Sequence, residues 1–327
     1  MKEEKKIGKV KLVLIIIFCL AVLFVFTGAC LQKTYFTVKK DSIEPYGQMV
    51  DVNDGKMHVY KMGAGEKTIV ITPGAGMALP SAEFGPLMRC LSEDYTVVCL
   101  EYFGSGFSTL TSRVRNCENY VEEMRIALQG AGIEGPYILM PHALSSAYSE
   151  YYASCYPEEV EAIISLDGIS TAFVGEGNPK AVEGMLRETK LFQTLGMNSI
   201  FSFYTINAEL LHSYGYTEQE IHDLKVYTGF TLNESQIDRM VDTLTATKAA
   251  NEKEYPKTVP YYKIISSQSY KAGNEQSKMT PEEFQQKHLE RVGAEEHYTV
   301  LEGSNFIYYN NEEKIKEITD TFLAELN

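Results

Sequence analysis

The chain has 327 residues, room for one large α/β domain or two small ones. Hydrophobic residues make up 44% and charged residues 23%, an ordinary globular balance. The formal net charge of −14 repels phosphate backbones and argues against a nucleic-acid partner.

Lys2, Lys5, Lys6, Lys9 and Lys11 make residues 1–11 a basic tail. Residues 12–31, LVLIIIFCLAVLFVFTGACL, form a nearly unbroken apolar run. At about 20 residues, such a run just crosses a bilayer as a helix. The leading lysines favour a cytoplasmic amino terminus, which makes the chain a single-pass cell-membrane protein with its globular part extracytoplasmic. Three readings stand: an uncleaved anchor, a cleaved signal peptide, or a lipoprotein signal ending at Cys30. Thr27 sits where a lipoprotein signal usually has an aliphatic residue. A buried core helix fits poorly, because the run has no polar face. Residues 32–46 read as a linker from the membrane.

Gln48–Val52 and Lys56–Met62 flank Asn53-Asp54-Gly55, a good hairpin turn. Thr68–Thr72 is a β-branched run that predicts a buried parallel strand, broken by Pro73-Gly74-Ala75-Gly76. A helix follows around Phe84–Leu91, then a strand over Thr96–Tyr102. Cys117–Gln129 has helical spacing. Tyr137–Met140 predicts a strand, with a sharp turn and a helix ending at Tyr156-Pro157. Ala162–Asp167 predicts another strand. Strands alternating with helices imply a parallel sheet covered on both faces.

Residues 169–257 change character: helical, rich in Phe, Tyr and Leu, with no convincing strand. Thr217-x-x-Glu220 and Asn233-x-x-Gln236 look like capping boxes. The run reads as a helical cap over the sheet's carboxyl edge. Tyr261–Ser266 resumes the sheet, Thr280-Pro281-x-Glu283 starts a helix, Tyr298–Leu301 is the last strand, and Glu312–Leu326 closes the chain. Cys90, Cys99, Cys117 and Cys155 have no metal-ligand spacing and read as buried free thiols, although an exported chain could oxidise them.

This order of elements, with these turns, resembles the α/β-hydrolase superfamily over residues 47–327. It looks closest to membrane-anchored bacterial members with an M-P-H-S type elbow. Pro73–Gly76 is similar to the H-G-x-G oxyanion loop, Glu101–Ser108 to the D-x-R-G-x-G-x-S loop, Met140–Ser146 to the nucleophile elbow, and Leu301–Ile307 to the loop after the last strand. The resemblance implies a mostly parallel eight-stranded sheet with helices on both faces. Residues 47–168 and 258–327 would form the core, and 169–257 the cap.

Acyl-transfer chemistry needs a hydroxyl, a histidine to take its proton, a carboxylate to orient the histidine, and two backbone N–H groups for the oxyanion. Carried over residue by residue, the oxyanion loop is Gly74 and Ala75, with Leu144 after the nucleophile position. That position holds Ala143, the base position Asn305, and the acid position Gln268 or Ser269. Alanine has no hydroxyl, and an amide does not take up a proton near neutral pH. Ser145 is the alternative nucleophile, since A-L-S-S-A imitates small-x-Ser-x-small. The strand ends three residues before Ala143 and Pro157 lies fourteen after it, so the spacing favours Ala143. The serines of this first helical turn then bond locally or face solvent. Asp167 is an alternative acid. His142 occupies the elbow's variable position. His58, His212, His222, His288 and His297 read as structural or solvent-facing.

No metal or nucleotide motif is present, so no cofactor is expected. The expectation is a pseudoenzyme that binds a small apolar or acyl ligand, or a protein partner, with Phe201, Phe203 and Tyr204 either candidate pocket walls or simple core of the cap. The alternative is an active serine hydrolase acting on a carboxylic ester or amide. Nothing in the sequence fixes the oligomeric state.

Overall fold

The computed structural model describes residues 2–326, residues 2–8 by their backbone alone. Met1 and Asn327, the outer ends of the expected basic tail and core, lie outside the described residues, as do the side chains of Lys2, Lys5 and Lys6.

The apolar run lies in one long helix, α1 (Lys2–Leu31), which bares its side chains from Val10 to Phe26. It is long and apolar enough to cross a membrane. The segment expected as a linker is instead mostly helical. A wide turn (Gln32–Phe36) and α2 (Thr37–Asp41) continue α1, leaving only residues 42–47 irregular. The cause is tertiary: Gln32 Nε2 donates to Gly229 O at 3.1 Å, Ser199 Oγ donates to Gln32 Oε1 at 2.6 Å, and the Phe36 ring lies 6.2 Å from Phe203.

The hairpin pairs β1 (Gln48–Val52) with β2 (Gly55–Met62), with Asn53 taking the positive φ that the tight turn needs. Next come β3 (Thr68–Thr72), α3 (Pro80–Glu83), α4 (Gly85–Leu91), β4 (Thr96–Glu101), α5 (Cys117–Gly130), β5 (Tyr137–Pro141), α6 (Ser145–Cys155) and β6 (Val160–Leu166). Six helices then run without a strand: α7 (Pro179–Thr194), α8 (Met197–Thr205), α9 (Ala208–Ser213), α10 (Glu218–Tyr227), α11 (Glu234–Val241) and α12 (Thr243–Asn251). The chain closes with β7 (Tyr261–Ser266), α13 (Ser267–Ala272), α14 (Pro281–Val292), β8 (Tyr298–Leu301) and α15 (Glu312–Glu325).

The eight strands make one sheet in the order β1-β2-β4-β3-β5-β6-β7-β8. It is antiparallel from β1 to β4 and parallel beyond. Strand side chains alternate between two core layers. Val70, Leu139 and Ile163 pack with α5, α6 and α14, whereas Ile69, Ile71, Ile138 and Met140 pack with α4 and α15. Both faces are covered, so the central strands are continuous apolar runs.

Thr217 and Thr280 make full capping boxes with Glu220 and Glu283. Asn233 does not. It accepts from Gln236 N at 3.1 Å, but the Gln236 carboxamide turns away to accept from Gly76 N at 3.1 Å. All six cysteines are free.

Candidate functional site

The parallel strands β3 and β5 end side by side, with Thr72 opposite Pro141. The chain then reverses sharply. Ala143 has φ +48, a left-handed conformation that a Cβ disfavours, and its N–H donates to Leu166 O at 3.1 Å. A strained residue between strand and helix is the local geometry of a nucleophile elbow. The loop after β3 presses against this turn at Gly74. A Cβ there would lie 2.8 Å from His142 Nδ1 and 3.2 Å from the Ala143 Cβ, so glycine permits the approach. The N–H groups of Ala75 and Leu144 have no partner among the described residues.

Ser145 does not bond locally as expected. It is fully buried; its Oγ donates to Pro73 O at 2.5 Å and accepts from Arg239 Nη2 at 2.9 Å. The buried Arg239, from α11, also donates to Pro73 O and Gly74 O, with its guanidinium 4.4 Å from the Tyr102 ring centre. With Gln236 it clamps the loop after β3 from the helical segment. Ser146 does bond locally, donating to Ala143 O at 2.9 Å. Asp167, itself at φ +49, accepts from Ser266 N at 2.8 Å, Ser266 Oγ at 3.1 Å and Ser269 Oγ at 2.7 Å. The Gln268 side chain is exposed.

Asn305 is exposed on the loop after β8 and enters the site through its backbone, 2.8 Å from His142 Nε2. A carbonyl only accepts, so Nε2 carries the proton and the buried, unpartnered Nδ1 is bare. Burial holds His142 below the usual histidine range, against the opposing pull of the Asn305 carbonyl.

A cavity of about 410 Å³ opens over the turn, lined by Gly74, Ala75, His142 and Ala143, the α9–α10 residues Leu210, Leu211 and Leu224, and Phe306 and Tyr309. The candidate walls Phe201, Phe203 and Tyr204 do not line it. Phe201 and Tyr204 point outward, and Phe203 packs on Phe36. A residue that the sequence reasoning missed does line it: Glu83, a carboxyl with no cation partner among the described residues. Its Oε1 accepts from Ala78 N at 3.0 Å, and Tyr308 OH donates to Oε2 at 3.3 Å. Burial pushes it up to about 7, against the opposing pull of these hydrogen bonds. The sequence signal is a lone acid within the apolar stretch Met77–Met88.

His288, expected as structural or solvent-facing, is buried. Its Nε2 meets Glu150 Oε1 at 2.9 Å and its Nδ1 meets Lys263 Nζ at 2.8 Å, all three fully buried behind α6. Thr171 also donates to Glu150, and Lys263 to Gln285 Oε1 at 2.9 Å. Burial lowers Lys263 to about 8. Burial works to raise Glu150, but His288, Thr171 and Arg291 hold it below the usual carboxylate range. Among the described residues no group of side chains could hold a metal ion.

No family model matches the chain. It is 30% identical over 189 residues to an uncharacterized protein, YbdG, of Bacillus subtilis (strain 168); the match spans 57% of this chain and 58% of that relative. Among solved structures, an epoxide hydrolase of Vigna radiata superposes with a TM-score of 0.61 at 18% identity, covering 85% of this chain and 97% of its own. A carboxylesterase structure from Nitrososphaera gargenis gives 0.58 at 14% identity, covering 85% and 98%.

Proposed function

The chain has the α/β-hydrolase fold, and from that premise we propose that it is a membrane-anchored, extracytoplasmic binding protein without a working triad. It holds a small apolar or acyl ligand in the cavity over Ala143. α1 is its single-pass anchor in the cell membrane, with the amino terminus cytoplasmic.

The observation that carries this reading is Ala143 itself. The strained turn is kept, yet its side chain is a methyl group. The remaining positions support it. Asn305 offers a carbonyl to His142, and Asp167 is occupied by two serines with no histidine to orient. The apolar lining, with Glu83 as its buried carboxyl, suits a largely apolar ligand.

The second reading is a hydrolase of carboxylic esters or amides using Ser145. The partner-free N–H groups of Ala75 and Leu144 favour it, since they are the donors an oxyanion would need. The surroundings of Ser145 oppose it: the hydroxyl proton is directed at a carbonyl, and the charge beside Oγ belongs to an arginine, which is no base.

Exposure of the full chain in detergent to a fluorophosphonate probe, read by intact mass, tests the choice. An Ala143→Ser, Asn305→His variant runs beside it. No adduct on the native chain after long exposure is the expected result. A stoichiometric adduct mapped to Ser145 overturns the proposal and makes the chain a serine hydrolase.

A further inference from the structure

The helix α8 and the carboxyl end of α7 carry their polarity inside out. On α8, Ser199 and Ser202 are buried: Ser199 donates to Gln32, and Ser202 donates to Lys225 O at 2.7 Å. The same helix exposes Phe201 by 55% and Tyr204 by 84%. On α7, Gln193 is buried, donating to Leu232 O at 2.8 Å, while the adjoining Phe192 is 58% exposed and Leu191 and Met185 also face outward. A helix docked on a protein in water buries its apolar stripe and wets its polar one. Along α8 and over Leu191–Gln193 at the end of α7 the polar residues face the protein and the large apolar ones face away, an arrangement suited to hydrocarbon outside, whereas earlier in α7 Leu186 is buried and Arg187 and Glu188 are exposed.

The apolar face adjoins α1. Gly28 packs so closely on the turn between α7 and α8 that a side chain there would run into Leu195 O, and the facing residue, Gly196, is equally pressed. Gly28 lies three residues before the end of α1, about 4.5 Å along its axis. The α7–α8 turn therefore lies beside the final turn of the apolar run, at the depth where that run leaves the hydrocarbon. Lys33, Lys39 and Lys40 follow in the continuing helix, beyond Leu31, where lipid phosphates would lie.

We propose that α8 and the carboxyl end of α7 are embedded by Leu191, Phe192, Phe201 and Tyr204 in the leaflet from which α1 emerges, so that the helical segment over the sheet is itself a membrane-contacting element. The occupant of this face is the acyl region of that leaflet. The inference rests on the anchor reading of α1, and the experiment separates the two.

The chain contains no tryptophan, so each substitution introduces one reporter. The full chain is reconstituted in phosphatidylcholine vesicles with and without lipids brominated on their acyl chains. Four single variants are compared: Phe192→Trp, Phe201→Trp, Leu20→Trp in α1, and Glu134→Trp at the amino-terminal edge of the sheet. Interfacial helices bury their apolar face some 5–10 Å into the headgroup–acyl boundary, so bromolipid should quench the Phe192→Trp and Phe201→Trp emission at least about twofold. Leu20→Trp is quenched likewise and Glu134→Trp is not. Leu20→Trp quenched with Phe192→Trp and Phe201→Trp unquenched overturns this inference and spares the anchor. Failure of Leu20→Trp to quench overturns the anchor reading and this inference with it. Blue-shifted but unquenched emission from both Phe192→Trp and Phe201→Trp would assign the face to a second copy of the chain and also overturns it.

Discussion

Two places in this molecule set a histidine against the element that follows β5, and they are built in opposite ways. At the turn, His142 adjoins a strained residue, partner-free N–H groups and an open cavity, but that strained residue, Ala143, carries no hydroxyl. Behind α6, Glu150, His288 and Lys263 are hydrogen-bonded in line at 2.9 and 2.8 Å, but the imidazole is fully buried. One region has a strained turn and an open cavity around a methyl side chain. The other has acid, imidazole and amine without access. The difference teaches that a run of ionisable groups is not a site. Chemistry needs a group that can lose or gain a proton where a ligand can stand; behind α6 such groups are sealed off, and at the turn only His142 and Glu83, not the turn residue, offer one to the cavity.

The largest expected effect breaks the buried side. Removing one partner of a buried ionic pair typically costs about 3–5 kcal/mol, because the others are left uncompensated. Glu150→Ala should cost that much in urea unfolding of the full chain in detergent. The matching change at the open side, Ala143→Gly, should stay within about 1 kcal/mol: glycine relieves the positive φ but adds chain entropy to the unfolded state. Equal costs would mean that the two regions do not differ as described.

Next comes Glu83, which sharpens the comparison by being both buried and in contact with the cavity. Its carboxyl is raised to about 7 in the fold, against 4.5 for the free group. Between those values the unfolded chain has released the proton that the folded chain still holds. Stability contributed by this group is therefore fully present below pH 4.5 and is lost as pH rises to 7. Linkage at about 1.4 kcal/mol per pH unit gives a fall of about 3 kcal/mol. Glu83→Gln should flatten that slope in a pH series of unfolding midpoints. His142, held low by burial, acts in the opposite sense: its contribution is lost as pH falls below the ordinary histidine value. A slope unchanged by Glu83→Gln would place the carboxyl in water.

Ser145→Ala is smaller, about 1–2 kcal/mol. It removes one buried hydroxyl between two partners, but Arg239 still donates to Pro73 O. Stability should drop with no change in probe labelling.

The strands were the most legible part of the sequence. β3 and β7 fall on the predicted residues because short apolar runs ending in Pro-Gly or serine can be little else in a doubly covered sheet. The helical continuation over residues 32–41 was not legible, because a buried Gln32 and a lysine-rich turn read as solvent-exposed until Ser199 and Gly229 supply partners. Phe201 and Tyr204 were misread as pocket walls or core for a related reason: composition says that a helix is apolar, not which face its neighbours cover. The turn position of Ala143 could be read from its gaps to strand and proline. Arg239 acts through contacts distant in sequence, with Pro73 and Ser145, and Glu83 joins the nearby Ala78 N–H to the distant Tyr308.

The smallest expected effect is at Asn305. Its side chain is exposed, and the bond to His142 runs through its carbonyl, which any residue supplies. Asn305→His should change stability by less than about 0.5 kcal/mol, as surface substitutions usually do. It should also leave His142 titrating as before, a point that NMR of the imidazole protons can read. If Asn305→His instead shifts the His142 titration, the introduced imidazole has turned inward from the β8 loop. The open region would then be one hydroxyl, at Ala143, from a complete nucleophile–base pair. If neither quantity moves, access alone does not make the loop a base position. The loop after β8 would then differ from a base-bearing loop in orientation as well as in residue identity.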